Sequence, residues 1–491
     1  MFIMGSIPVR VIFIKIGTCC FSAYYIDIVN YLIYIHVVKN TLMHAHTCIC
    51  MYIVLLIHNT HNLINIYFSI EDDNFVNAVK KQKRKAEEAG TDLTDVIQGQ
   101  YYQKMLPKHN GADMNLTLTL NTDSVSIFKS SKKGSLWPVY LAVNELPVKL
   151  RYSRKYLIPC FLHCHSEKPN MITYLSPLMK TLNSLNDKGI TVQTDEGALL
   201  VKAQLLMASL DLPARAIVAN MKQFNGKFGC SVCLDEGKSR PGQAMLRYFP
   251  FKELVQLRTH TSMVTDARKA ALEGNEVHGI KGASPLMLLP YLDMPRSLVI
   301  DWMHCVLLGV TKAMMTLWFN SKNKDKTFFI GDKIELLDRR LLGIKIPDFF
   351  SRRQRTLHDH KHWKASEMRE WLLHFSVPVL ENLLAPEPYL HFILLVSGIS
   401  TLVRDDLKKI DVDYAESCLI DFCKIYPKIY GDFTQTMNLH LVRHLPTYVR
   451  MYGPLYGYSC FGFESMNSFL KRMIHGTSHI NKQVSFAICM T

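Results

Sequence analysis

The feature that most constrains this chain is the stretch LLMASLDLPARAIVANMKQFNGKFGCSVC, Leu205 to Cys233. An apolar run ends at a single acid, Asp211, and Cys230 and Cys233 follow as a C-x-x-C pair. A carboxylate at the end of a buried strand is placed for metal chemistry, and a C-x-x-C is half of a tetrahedral metal site. A fold for this chain has to supply partners for both halves. The plainer reading is also open at this point, because an Asp before Leu212-Pro213 suits a helix start.

At 491 residues and 48% hydrophobic content, the chain is long enough for two or three domains with a large core. The formal charge of +15, from 57 basic and 42 acidic residues, favours an anionic partner, nucleic acid first. The thirteen cysteines are an odd number, and Cys305, Cys418 and Cys423 sit in apolar surroundings. That usage points to a reducing compartment with one metal site rather than a disulfide framework.

Residues 1–70 do not match the remainder. From Thr41 to Ile70 there is no Asp, Glu, Lys or Arg. His44, His46, His58 and His61 leave only a short apolar middle for a membrane span, and no secretory signal pattern is in order. Runs such as HAHTCICMYI are what short nucleotide repeats give when read as codons, so this leader is set aside, with a membrane anchor as the alternative. Residues 71–112 read as a polar, basic linker. Within it KKQKRK, with Lys80, Lys81, Lys83, Arg84 and Lys85, is a nuclear-import type cluster or the solvated face of a helix.

Leu116, Leu118 and Leu120 alternate with polar residues, the period of a half-buried strand that runs into Asp123. Leu136 to Leu146 and Tyr156 to Cys164 read as further antiparallel strands. Met171 to Asn186 has helical spacing, and a later strand ends at Asp211. Where the strands of Asp123 and Asp211 are neighbours, the two carboxylates repel, and a divalent cation relieves the repulsion.

From Cys230 to about Gln435 the chain reads as mostly amphipathic helix, including Phe251 to Leu257, Leu298 to Trp318, Ser366 to Leu384, Tyr389 to Leu402 and Tyr414 to Tyr430. Asp301 and His304 share one helix face, as a metal or phosphate ligand pair or as a buried polar pair. Arg352, Arg353, Arg355 and Trp363 precede a helix capped by Ser366; they suit either DNA backbone contact with Trp363 stacking, or a solvated loop. His440 and His444, four residues apart, complete a Cys2His2 set with Cys230 and Cys233, suited to Zn²⁺. Glu464 opens a helix that also carries Lys471 and Arg472, which can meet DNA backbone.

Taken together, LNTDSVSIFKSSKKGSLWPVYLAVNELP, LDLPARA…FNGKFGCSVC, GIKGASPL, DWMH, HWKASEMREWLL and YGPL…FGFESMNSFLKRMIHGT resemble a DDE transposase of the CACTA (En/Spm-like) superfamily, animal branch, over roughly Asn115 to Gln483. The resemblance implies an α/β, ribonuclease-H-like mixed sheet with a large all-α insertion between the second Asp and the Glu. It places the catalytic carboxylates at Asp123, Asp211 and Glu464, holding Mg²⁺ or Mn²⁺, and the D-x-x-H motif of the insertion at Asp301 and His304. It implies cut-and-paste chemistry on DNA, both transposon ends and target, by a homo-oligomer in the nucleus. The zinc-bearing insertion of the related antigen-receptor recombinase resembles the Cys230, Cys233, His440, His444 set. The expected modules are residues 113–229 as the first part of the catalytic core, 230–445 as the insertion, and 446–491 as a final, truncated part of the core ending in SFAICMT. The rival readings are an inactive, transposon-derived DNA-binding protein, and a membrane-anchored protein if residues 1–70 are expressed.

Overall fold

The computed structural model describes residues 73–105, 111–127, 135–165, 167–347 and 354–476, with Ile480 and Gln483. The leader 1–70, Arg352 and Arg353 lie outside the described residues. Helix α1 (Asp73–Glu88) buries Phe75, Val76 and Val79 and turns the basic cluster outward. There Lys80 pairs with Glu196 at 2.6 Å and Lys83 donates to the Asn115 carbonyl at 3.0 Å. The cluster is thus the polar face of a packed helix.

The sheet that follows is mixed. Strand β1 (Met114–Thr122), β2 (Val125–Ser126), β3 (Ser135–Val143) and β4 (Ile158–His165) form the first part, with β1–β3, β2–β3 and β3–β4 all antiparallel. Helix α2 (Met171–Asp187) then covers the sheet with Leu175, Leu178, Met179, Leu182 and Leu185, all buried on one face as the helical spacing predicts. Strand β5 (Ile190–Thr194) turns back into the long β6 (Gly197–Leu210), which runs parallel to β1.

Strand β1 is not half-buried. Thr117 and Thr119 are as inaccessible as Leu116 and Leu118. With β3 on one side and β6 on the other, β1 is central, and its polar face meets polar partners: Thr117 donates to Glu145 at 2.9 Å and Thr119 to Asn144 at 2.7 Å. Buried polar groups carry little penalty once paired in this way.

Helix α3 (Leu212–Val218) starts directly from β6 with Asp211 as its cap. Beyond it the chain is not the continuous helix that the spacing suggests. Residues 251–257 are extended and non-helical, and a hairpin of β7 (Lys238–Arg240) and β8 (Gln243–Tyr248) precedes α4 (His260–Glu273). Leu298–Ile300 is strand β9, parallel to β6, so residues between the second Asp and the Glu contribute a strand to the main sheet and the insertion is not all-α. The reason is environmental: Leu298, Val299 and Ile300 are buried together, and a short apolar run does not distinguish strand from helix by period.

A π-helical stretch, Met303–Thr311, leads into α5 (Lys312–Phe319). The segment expected to begin at Ser366 begins instead at Ala365, with Glu367 accepting the Lys364 amide at 2.8 Å, and ends by Leu380. Helices α6 (Pro386–Leu402) and α7 (Lys409–Tyr430) pack as an antiparallel pair, followed by α8 (Met437–Val442) and α9 (Phe461–Arg472). The strand order β4-β3-β1-β6-β9 puts β1, β6 and β9 side by side and parallel. Among the described residues no helix is long and apolar enough to cross a membrane.

Candidate functional site

The parallel strands set the site. Leu120 is level with Ala208, and Ala208 with Leu298. Continuing each strand by the same three positions brings Asp123, Asp211 and Asp301 to one level at the carboxyl ends of β1, β6 and β9. Ligand sites in α/β sheets lie at such ends, because the strand termini converge there and leave side chains free of the ladder. Asp211 is the helix cap that the plainer reading expects, since its Oδ1 accepts the Ala214 amide at 2.7 Å, and it stands at the strand end beside Asp123.

Glu464 reaches the same place from α9. Burial and the charges of Asp211 and Glu464 push the Asp123 carboxyl up to about 7. Burial raises Glu464 as well, against the opposing pull of His304. Burial leads both shifts; the neighbouring carboxylates add to it at Asp123, and Asp301 and Asp211 add to it at Glu464, where a hydrogen bond with Asp123 works the other way.

Among the described residues, the positive charge that acts on both Asp123 and Glu464 is that of His304. Its Nδ1 lies 2.7 Å from Asp301 Oδ2 and its Nε2 4.0 Å from Glu464 Oε1. Burial works against a charge on His304, but the hydrogen bond to Asp301 and the charges of Asp301, Asp211 and Glu464 outweigh it and raise the ring to about 9. Burial would raise Asp301 too, yet the His304 bond and the Cys460 and His304 amides hold it below the usual carboxylate range. Asp301 Oδ1 also accepts from Cys460 N at 2.9 Å and Ser459 Oγ at 3.2 Å. Thus Asp301 is both the anchor of His304 and the anchor of the turn that launches α9. The helix-face reading of Asp301 and His304 is replaced by a strand end and the first turn of a π-helix, where π geometry is often found at functional sites.

Three further residues tie the strands to α9 and carry no signal in the sequence. Asn121 Nδ2 donates to the Ser209 carbonyl at 2.8 Å, Ser209 Oγ donates to the Tyr458 carbonyl at 2.6 Å, and Cys460 Sγ lies 3.4 Å from Ser209 Oγ. They are ordinary small polar residues whose pairing depends on the register of distant strands.

The second site forms at the other end of the stretch that opens with Leu205. The ligand atoms of Cys230, Cys233, His440 and His444 lie within 4.8 Å of one another, and all four residues are buried. Cys233 Sγ is 3.2 Å from His440 Nε2. The other ring nitrogen, Nδ1, faces Asp235 Oδ2 at 4.0 Å, and Asp235 is in turn held by Lys252 at 2.8 Å. Metal-binding imidazoles commonly donate their other ring nitrogen to a carboxylate, carbonyl or water, and Asp235 lies on that side of His440, beyond hydrogen-bond distance. Burial would raise the Cys230 thiol, but hydrogen bonding with Cys233 and the charge of His440 overcome it and hold Cys230 well below the usual thiol range, while the same Cys230–Cys233 bond, with burial, raises Cys233. His444 is buried beside Cys230, which interacts with its ring and opposes the lowering of the His444 pKa by burial. His440 lies in α8 and His444 just after it, where the backbone stays in the helical region, and the two rings are 5.2 Å apart.

The expected DNA contacts fare unevenly. Lys471 and Arg472 occupy the last turn of α9, with Arg472 exposed. Trp363 is 2% exposed, packs against Trp371 at 6.0 Å and donates to the Thr356 carbonyl, so it is a core residue and not a stacking platform. The Arg355 guanidinium is taken up by Glu367, at 2.6 and 2.8 Å.

Fold and site together define a mixed α/β protein whose parallel strands present a carboxylate cluster, with a Cys2His2 group fastening its helical part. Residues 94–269 match the model of the transposase family tnp2, which supports a transposase. The matched span takes in Asp123, Asp211, Cys230 and Cys233 and stops before Asp301, His440 and Glu464. No curated protein matches the chain.

Proposed function

We propose that the protein is a DDE-type DNA transposase of the CACTA kind, built on a ribonuclease-H-like core, with Asp123, Asp211 and Glu464 as the catalytic carboxylates. The observation that carries this is the single level of Asp123 and Asp211 on adjacent parallel strands, with Glu464 delivered to them by α9. The strand order supports the ribonuclease-H-like reading: three antiparallel strands, then two parallel to the first. The transposase family match and the net charge of +15 support DNA as the substrate.

The donor set fits a hard divalent cation. It is all oxygen, partly open to solvent, and repels itself without a counter-charge. Asp123, Asp211 and Glu464 would hold Mg²⁺ or Mn²⁺, which when bound lowers the pKa of a coordinated water or 3′-hydroxyl and stabilises the leaving oxygen of the phosphodiester. The protein's own part is positioning. Asp211 is fixed by its cap bond and α9 by Asp301, while His304 brings a positive charge to the mouth of the cluster, where the phosphate enters. Lys471 and Arg472, on the same helix as Glu464, meet the strand backbone.

The Cys230, Cys233, His440, His444 group is proposed as a structural Zn²⁺ site, since four buried N and S donors leave no open position for substrate. A nuclear address through Lys80 to Lys85 and assembly as a homo-oligomer on transposon ends and target DNA complete the reading. The test is incubation of the full chain with DNA carrying the ends of the parent element. Nicking that requires Mg²⁺ or Mn²⁺ and is lost in Asp123→Ala is expected. Binding without any nicking would instead make the protein a transposon-derived DNA-binding protein.

A further inference from the structure

Asp123 and Asp211 stand at strand ends of the sheet, but Glu464 is brought by a helix that follows a turn, so its place depends on what holds that turn. We infer that Arg151, buried and outside the carboxylate cluster, is a positioning residue for Glu464, and that the upstream segment Thr94 to Gly99 acts with it. The inference rests on the reading of Glu464 as a metal ligand and adds to it the residues that place the ligand.

Every residue from Tyr456 to Cys460 is tied to a group outside the turn. Asp301 holds Ser459 and Cys460, and Ser209 holds the Tyr458 carbonyl. The two residues before them are held from elsewhere. The Gly457 carbonyl accepts from Arg151 Nη1 at 2.8 Å and from the Tyr152 hydroxyl at 3.0 Å. The Tyr456 hydroxyl donates to the Thr94 carbonyl at 2.6 Å. The Glu464 amide then donates to the Cys460 carbonyl at 2.9 Å, closing the first turn of α9. Glu464 thus lies a single helical turn beyond the held residues, and any swing of the turn moves its carboxylate relative to the two strand-end acids.

The Arg151 guanidinium is held so that one arm points at the turn. Its Nη2 pairs with Asp95 Oδ2 at 2.7 Å and donates to the Asn144 carbonyl and, at 2.9 Å, to the Leu146 carbonyl. Its Nε donates to the Leu146 carbonyl at 3.2 Å, which leaves Nη1 for Gly457. Asp95 is fixed in turn: Oδ1 accepts the Val96 amide at 2.7 Å, and Oδ2 accepts Gln82 Nε2 of α1 at 2.9 Å. The segment that follows Asp95 lies backbone to backbone against the approach to the turn. A Cβ at Gly99 would run into the Met451 carbonyl, and one at Gly453 into the Asp95 carbonyl. A buried ion pair adds little net stability, because desolvation offsets the attraction. What the planar guanidinium supplies is direction, since its donors keep a fixed relation to one another. Here that direction joins Asp95, the end of β3 and the turn before α9.

The experiment titrates the full chain, without DNA, with Mn²⁺, and counts the free ion by electron paramagnetic resonance. The site is identified as the Mn²⁺ that Glu464→Gln binds more weakly. Arg151→Lys keeps a charge beside Asp95 but loses the fork, and its affinity at this site should fall about tenfold or more, as loss of a charged hydrogen bond brings. Tyr152→Phe removes the second donor to Gly457 and should weaken the affinity about threefold, which decides the matter where Arg151→Lys does not fold. Leu395→Ala, at a buried position in α6, measures what destabilisation alone does; it should unfold in less urea yet bind Mn²⁺ as the wild type does. Unchanged affinity in Arg151→Lys, or in Tyr152→Phe where the former does not fold, or an equal fall in Leu395→Ala, overturns the inference and leaves the transposase reading intact. A folded wild type that binds no Mn²⁺, or binds it unchanged in Glu464→Gln, overturns both.

Discussion

Replacing Cys230 by Ser tests whether the Cys2His2 group is a structural clamp. The group joins positions 207 apart, Cys233 and His440, which fall on either side of most of the helical part. Closing a loop of that length removes about 5 kcal/mol of chain entropy from the unfolded state, taking (3/2)RT ln n. The bond energy of a structural Zn²⁺ adds to this, with apparent values on the order of 10 kcal/mol in small zinc peptides. For a unit running from His58 to Thr491, the entropy of unfolding is about 0.9 kcal/mol/K. The closure contribution alone is then a fall in Tm of about 5–6 °C. The assay is metal content by elemental analysis together with Tm by scanning fluorimetry. The wild type should carry one zinc per chain and Cys230→Ser less, with Tm lower by at least that amount. Cys418→Ser, at a buried cysteine outside the group, should keep its zinc. Unchanged zinc content and Tm in Cys230→Ser, or equal losses in both variants, would refute the clamp.

Other outcomes follow from the carboxylate cluster and its supports. Because Asp123 is raised to about 7, Mn²⁺ binding must expel its proton below that pH; the affinity should rise up to about tenfold per pH unit from pH 5 to 7 and flatten above, by calorimetry. The sign for stability without metal is the reverse, since a carboxyl raised on folding contributes stability that is lost as pH climbs from its unfolded value to about 7. Asp301→Asn and His304→Ala should each slow nicking about 10–100-fold, and the double variant should be little worse than either, because one residue acts through the other. Full additivity would separate their roles. Arg151→Met strands the buried Asp95 carboxylate, its partner at 2.7 Å, and should cost about 3–5 kcal/mol in urea unfolding.

What was legible in the sequence was chemistry with a strong type constraint. Two cysteines and two histidines are few enough, and particular enough, that residues 207 apart in the case of Cys233 and His440 could be matched before any fold was known. Asp123 and Asp211 were legible as acids at strand ends, and α2 was legible from its spacing. Asp301 was placed on a helix because β9 is only Leu298–Ile300, too short for a period of two to show before the helix takes over. That these three residues extend the main sheet is decided by β6, which offers them an open edge. Residues 251–257 have a helical composition but lie extended, because the backbone there pairs across to the cysteine loop: Leu234 N donates to the Gln256 carbonyl at 2.8 Å and Arg258 N to the Val232 carbonyl at 2.9 Å. Trp363 looked available for DNA because its neighbours are charged; tertiary packing against Trp371 overrides that local pattern. Asp235 and Asn121 were not legible at all, since their roles come from partners that only the fold supplies.

The central claim is that Asp123, Asp211 and Glu464 together hold the cation that cuts DNA. The measurement closest to it is anomalous diffraction at the manganese edge from crystals grown with DNA and Mn²⁺. The account predicts density bounded by the carboxylates of Asp123, Asp211 and Glu464, and its loss in Asp211→Asn. Nicking activity with manganese bound elsewhere, or with no manganese at these three residues, would contradict it.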